Sequence, residues 1–173
     1  MRRTLLLMMA ALLLLLTACD IPPEVFRDDD EVVTEAMEGF LSSVQAGDLD
    51  AAQEAFAPSL RGDELDARLH ELAELLPAGE PVILRESGAM ASRSSHAGER
   101  LWLLTKSRTY SFDGQVICIC AQLCTYDSAA ADNVGLRSVH VIRGEDFPAY
   151  ETLHYWRADG LPGLHLESGN ETK

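Results

Sequence analysis

Positive charge is scarce in this chain. Lysine and arginine number 14 against 28 aspartates and glutamates, a formal charge of −14. Such a balance repels phosphate backbones and anionic headgroups, which excludes nucleic-acid binding; basic proteins, cationic peptides and metal cations remain electrostatically permitted. Catalytic signatures are missing too. His70, His96, His140, His154 and His165 do not form His-Glu-x-x-His or another ligand spacing, and there is no Gly-x-Ser-x-Gly, phosphate loop or dinucleotide fingerprint. No motif asks for a cofactor. No repeat occurs, and beyond residue 19 no stretch is long and apolar enough to cross a bilayer, which takes about 20 residues.

The start of the chain is more informative. Met1-Arg2-Arg3 is a short positive head, and Leu5 to Leu16 is an uncharged apolar core of signal-peptide length. Leu16-Thr17-Ala18-Cys19 then places small residues just before a cysteine, and this segment resembles the lipobox of bacterial lipoproteins. The resemblance implies cleavage before Cys19, diacylglyceryl transfer to its sulfur, and membrane attachment through lipid. Each buried CH₂ contributes about 0.8 kcal/mol, so two or more acyl chains anchor without a protein span. Removal of Arg2 and Arg3 leaves 14 − 2 = 12 basic residues against 28 acidic ones, a charge of −16. In enteric-type bacteria an aspartate such as Asp20 resembles the signal for retention at the inner membrane, facing the periplasm; the outer membrane remains the alternative.

The expected organisation is a signal peptide over 1–18, a lipidated cysteine and tether over 19–30 containing Pro22-Pro23, one domain over 31–167, and a polar tail over 168–173. Val33, Met37, Phe40, Leu41 and Val44 repeat at helical spacing from Glu31 to Ala46, with Asp30 as cap and Gly47 as stop. Asp48 should cap a short second helix with Leu49, Ala52 and Phe56 inward, halted by Pro58. A third helix is expected over Asp63–Leu76, on Leu65, Leu69, Leu72, Ala73 and Leu76.

Strand character follows Pro81. Val82-Ile83-Leu84 begins a strand, a turn is expected from Ser94 to Gly98, and Leu101–Phe112 and Gln115–Tyr126 flank Asp113-Gly114, a strong hairpin signal. A two-residue turn sets Phe112 opposite Gln115, hence Tyr110 opposite Ile117, Arg108 opposite Ile119, Lys106 opposite Ala121 and Leu104 opposite Leu123. Trp102, Leu104, Tyr110, Phe112, Ile117, Ile119 and Leu123 then share an apolar face onto which the helices should pack. Val134–Arg143, Phe147–Trp156 and Leu161–Leu166 should add strands.

The expected class is therefore α+β, with N-terminal helices on a curved antiparallel sheet. The stretch Glu38-Gly39-Phe40 through Gly47-Asp48-Leu49 to Ala52 and Phe56 resembles the first two helices of the cystatin-like, nuclear transport factor 2-like superfold. That resemblance implies a sheet wrapping the helices into a cone.

Two groups of residues could carry chemistry. Lys106 and Arg108 sit on the otherwise apolar face and, with Tyr110, either lie at its open edge or mark a polar pocket. Cys118, Cys120 and Cys124 share the other face, opposite Thr109, Ser107 and Leu103. A straight strand separates Cys118 from Cys120 by about 6.6 Å, and Cys120 from Cys124 by roughly 13 Å, against Cα separations usually below about 6.8 Å in disulfides. Buried structural thiols, one disulfide with a free thiol, and metal or redox chemistry all stay open, although no fourth zinc ligand lies nearby.

Three functional readings result. The first is a tethered binding or accessory module holding a small apolar ligand or docking a cell-envelope partner. The second, implied by the superfold resemblance, is a cone-pocket enzyme of the ketosteroid-isomerase type using Tyr110, His140 or a carboxylate. The third is a structural homo-oligomer, a dimer at its simplest, paired through the cysteine-bearing sheet face.

Overall fold

The structure, a computed structural model, describes residues 27–77, 79–144 and 161–167. Cys19, the signal and tether up to residue 26, the expected Phe147–Trp156 strand, His154 and the polar tail lie outside the described residues.

Helix α1 spans Asp29–Ala46 and buries Val33, Met37, Phe40, Leu41 and Val44. Asp28, not Asp30, is its cap, accepting from the Asp30 N–H at 2.8 Å. Gly47 closes it in the left-handed region at φ 73°, and the Gly47 and Asp48 N–H groups reach back to Val44 and Ser43. Asp48 then caps α2 (Leu49–Glu54) through the Ala51 N–H at 3.1 Å. Phe56 turns inward onto Phe40, edge to face at 5.6 Å. A 3₁₀ turn at Pro58–Leu60 precedes α3 (Asp63–Leu75), which buries Leu65, Leu69 and Leu72.

The later described residues form one six-stranded sheet: β1 (Val82–Glu86), β2 (Met90–His96), β3 (Glu99–Phe112), β4 (Gln115–Asp127), β5 (Gly135–Arg143) and β6 (Gly163–Glu167). The Asp113-Gly114 turn has positive φ at both residues, and every register pair expected from Phe112/Gln115 to Leu104/Leu123 is found. The inward residues of β3 and β4 join the helices in one core. Trp102 lies beyond it, half-buried against Tyr126, because Thr125 is an extra residue that shifts the ladder there. Leu84 and Arg137 are further extra residues, in β1 and β5, and such bulges bend their strands.

Two further expectations need correction. The Ser94–Gly98 turn is only Ala97-Gly98; Ser94 and Ser95 belong to β2, paired with Leu101 and Arg100. Both faces of β2 are exposed, so no apolar alternation marks it. The sheet is also mixed rather than antiparallel, since β6 joins β5 in parallel, Val139 opposite Leu164. A parallel neighbour cannot be reached by a tight turn, and the long 144–162 connection supplies the length of a crossover.

One close approach ties the helical segment to the sheet. Phe56 bridges Leu136, Ala57 N–H donates to Leu136 at 2.9 Å, and Leu136 N–H donates to Ala55 at 2.9 Å. Gly135 has φ +131°, and a Cβ there would meet the Ala57 nitrogen at 2.8 Å. Gly135→Ala should therefore cost about 2–4 kcal/mol by urea denaturation, combining backbone strain with a backbone clash. Gly47→Ala has positive φ but open space around it, and should cost only about 1 kcal/mol.

Candidate functional site

Strands β1 and β2 both pair with β3 and follow one another along the same edge, interrupted between Ser87 and Ala89. Ser87 holds the gap to β3: its N–H donates to Ser107 O at 2.9 Å, and its Oγ accepts the Ser107 N–H at 3.0 Å. Lys106 lies beside this gap on the core face and is only 2% exposed. Its ammonium donates to both oxygens of Asp30, at 2.8 and 2.7 Å, and the Ala89 N–H donates to the same carboxylate at 2.8 Å. Asp30, expected to cap α1, is thus a tie between the helix start, the edge-strand gap and β3. The neighbouring Asp29 takes two hydrogen bonds from Arg93 of β2, at 2.7 and 2.8 Å.

Two residues along β3, Arg108 donates through Nη1 to Glu38 of α1 and through Nε to Glu86 of β1 at 2.8 Å. Glu86 also approaches Lys106 at 3.5 Å. Burial works against the charge on Arg108, but hydrogen bonds to Glu38 and its other neighbours outweigh it, so its pKa stands above the ordinary value. Asp30 is held below the usual carboxylate range, first by the Lys106 hydrogen bond and then by the Ala89 N–H. Burial raises the Tyr110 phenol, partly offset by Arg108. The Thr34 hydroxyl, placed between Asp30 and Glu38 along α1, is buried and makes no hydrogen bond among the described residues, and the Tyr110 hydroxyl is buried with only the Arg108 guanidinium beside it.

Of the three residues expected at a polar pocket, Arg108 and Tyr110 line a groove of about 220 Å³; Lys106 stands outside it, in the ionic cluster. Leu41, Ser42 and Glu38 of α1 form one wall, and Pro81 with Ile83 of β1 forms the other. A hollow of about 390 Å³ at the β3–β4 hairpin is larger, but Arg143 is the one charged side chain among its described lining residues. The acidic partners Asp30, Glu38 and Glu86 were not singled out by sequence reasoning. Their signal was indirect: two cations on a core face require carboxylates, and Asp30 and Glu38, eight apart on a helix, share its flank.

The cysteines sit on the opposite face of β4, paired as expected with Thr109, Ser107 and Leu103. All three are buried and form no disulfide. Cys118 packs on Ile142, while Cys120 pairs across β5 with His140, whose ring stacks on His165 at 4.6 Å. Among the described residues no group of three or more His, Cys, Asp or Glu side chains could hold a metal ion. Burial pushes the Cys118 and Cys124 thiols up. Cys118, Cys120, Gln122, Ser138 and His140 are all buried within the single chain.

Comparison with known proteins found no matching family model, no matching curated protein and no matching solved structure.

Breaking the Lys106–Asp30 pair should be costly. Asp30→Asn or Lys106→Met should lose about 2–3 kcal/mol in chemical denaturation, less than for a fully dry pair because the Asp30 side chain is half exposed. Asp127 is likewise held low, by Asn133 and then backbone N–H groups. Both aspartates are ionised in folded and unfolded chains above about pH 4; below it the unfolded chain takes up protons first, so stability falls as the pH drops through the folded pKa values. Asp30→Asn should flatten that acid limb in a pH series of unfolding midpoints. Thiol titration should find Cys118, Cys120 and Cys124 reactive after unfolding without reductant, and at least about tenfold slower in the native protein.

Proposed function

We propose that this chain is a lipid-anchored binding module of the bacterial cell envelope, attached through Cys19 and working at the periplasmic face of the inner membrane. The groove between α1 and the β1–β3 edge is the observation that carries the binding reading. Leu41, Pro81 and Ile83 give it apolar walls, Glu38, Ser42, Gln45, Arg108 and Tyr110 supply polar groups, and α1, β1 and β3, which carry most of them, are joined by the ionic cluster. Apolar walls with a few placed polar groups are the ordinary make-up of a binding site. The head, apolar core and lipobox at the N-terminus support the anchor, and Asp20 supports the inner membrane.

We extend the fold to the cystatin-like cone. The Gly47-Asp48 break, Phe56 seated on Phe40, helices on one sheet face and three bulges that bend the sheet all support that architecture. One observation favours the ketosteroid-isomerase-type alternative: the Tyr110 hydroxyl is buried at the groove with no polar partner among the described residues beyond the adjacent Arg108 guanidinium. It weighs less than the binding reading, because Glu38, the carboxylate lining the groove, is committed to Arg108.

Two measurements test the proposal. Mass spectrometry of the membrane-extracted protein should find Cys19 as an acylated N-terminal residue, and Cys19→Ala should lose membrane attachment; a bare sulfur or retained leader overturns the anchor. Ser42→Trp should fill the groove from an exposed helix position and cut in-cell crosslinking to envelope partners at least about tenfold, a loss of roughly 1.4 kcal/mol. Undiminished crosslinking overturns the groove as the binding site.

A further inference from the structure

The edge of the sheet beside the groove bears on what binds. β1 closes one side of the strand order, and among the described residues its outer backbone edge has no strand partner. Val82, Ile83 and Leu84 are 61%, 45% and 56% exposed, three consecutive apolar residues on an open edge. Proteins ordinarily cover or charge such edges, because unpaired N–H and C=O groups are a template for another strand. Ile83 also forms a groove wall, so the open edge and the groove are contiguous. A groove of about 220 Å³ is small for a typical ligand site of about 300–1,000 Å³, but of the order of one large side chain.

We infer that β1 and the groove together receive an extended segment of a second protein. Its backbone pairs with the outer edge of β1, and one large apolar side chain drops into the groove. This rests on the binding-module reading and specifies its partner. Backbone pairing supplies affinity and the side-chain pocket supplies selectivity, the division of labour in strand addition. Charge narrows the occupant. Locally Asp30, Glu38 and Glu86 are balanced by Arg85, Lys106 and Arg108, but the processed chain as a whole has 14 − 2 = 12 basic against 28 acidic residues, a charge of −16, so the segment is basic. A second copy would bring another −16 (28 acidic against 14 − 2 = 12 basic residues) and meet long-range repulsion. The bulge at Leu84 and the charges of Arg85 and Glu86 at the far end of β1 confine pairing to a short register, which favours one segment over open-ended edge association.

The test uses the full lipidated chain in detergent and a synthetic nonapeptide alternating lysine with valine, with phenylalanine at its centre. Binding should slow amide exchange at Val82–Leu84. Methylating the peptide backbone nitrogens on the edge facing β1 should weaken binding at least about tenfold, while methylating the opposite edge should leave it within about threefold. Exchanging its lysines for glutamates, or Ile83→Glu in the protein, should also weaken binding tenfold or more. No binding, equal loss from both methylation patterns, or dimerisation through β1 by sedimentation overturns the strand proposal. If the peptide fails while Ser42→Trp still abolishes partner crosslinking, the binding module stands and its ligand is not a strand; if both fail, the binding reading falls with it.

Discussion

A lysine buried on the core face of a sheet must be met by a carboxylate, and Lys106 is met by Asp30. Removing Asp30 leaves the Lys106 charge in a poorly solvated place, so the elements supplying the pair are held in one arrangement. Asp30 fixes the first turn of α1 against β3 while accepting the Ala89 N–H at the gap between β1 and β2. Arg108 repeats the arrangement further along, joining α1 to β1 through Glu38 and Glu86. The groove lies between the elements so joined. Its walls keep their spacing through ionic contacts along one flank and apolar contacts with the core along the other.

The two faces of the central strands have separate chemistry. Odd-numbered residues of β4 from Ile117 to Leu123 enter the core, whereas Cys118, Cys120 and Cys124 point away from it. Burial pushes the Cys118 and Cys124 thiols up, which disfavours their thiolate forms. Polar groups facing the helices gather at one end, around Lys106, Arg108 and Tyr110, and leave the rest of the interior to Leu, Phe, Ile and Val.

Much of this fold was legible because local signals agreed. Asp113-Gly114 dictated the β3–β4 register, Gly47 and Asp48 marked a helix stop and the next start, and leucine spacing outlined α3. Where local signals were silent, the reading failed. β2 is a polar edge strand with two wet faces, so its serines looked like a turn. The parallel pairing of β6 depends on a partner remote in sequence, which periodicity does not carry. Asp30 was read as a cap because an aspartate before a helix usually is one; Asp28 took that role and left Asp30 for Lys106, 76 residues away. Strand parity grouped Lys106, Arg108 and Tyr110 as a candidate, at an open edge or in a polar pocket, without separating Lys106 from the other two, and Glu38 and Ile83 could join Arg108 and Tyr110 only once the sheet edge and helix flank were brought together.

The same fastening determines where mechanical load enters the domain. Tension from an anchor at Cys19 would reach the described fold at Arg27 and the start of α1, where Asp29 grips Arg93 and Asp30 grips Lys106. These bonds join helix to sheet close to the point of loading, ahead of the apolar contacts deeper in the core. Under such an anchor they would take the load before the hydrophobic interior did, much as a cleated rope keeps strain off the sail.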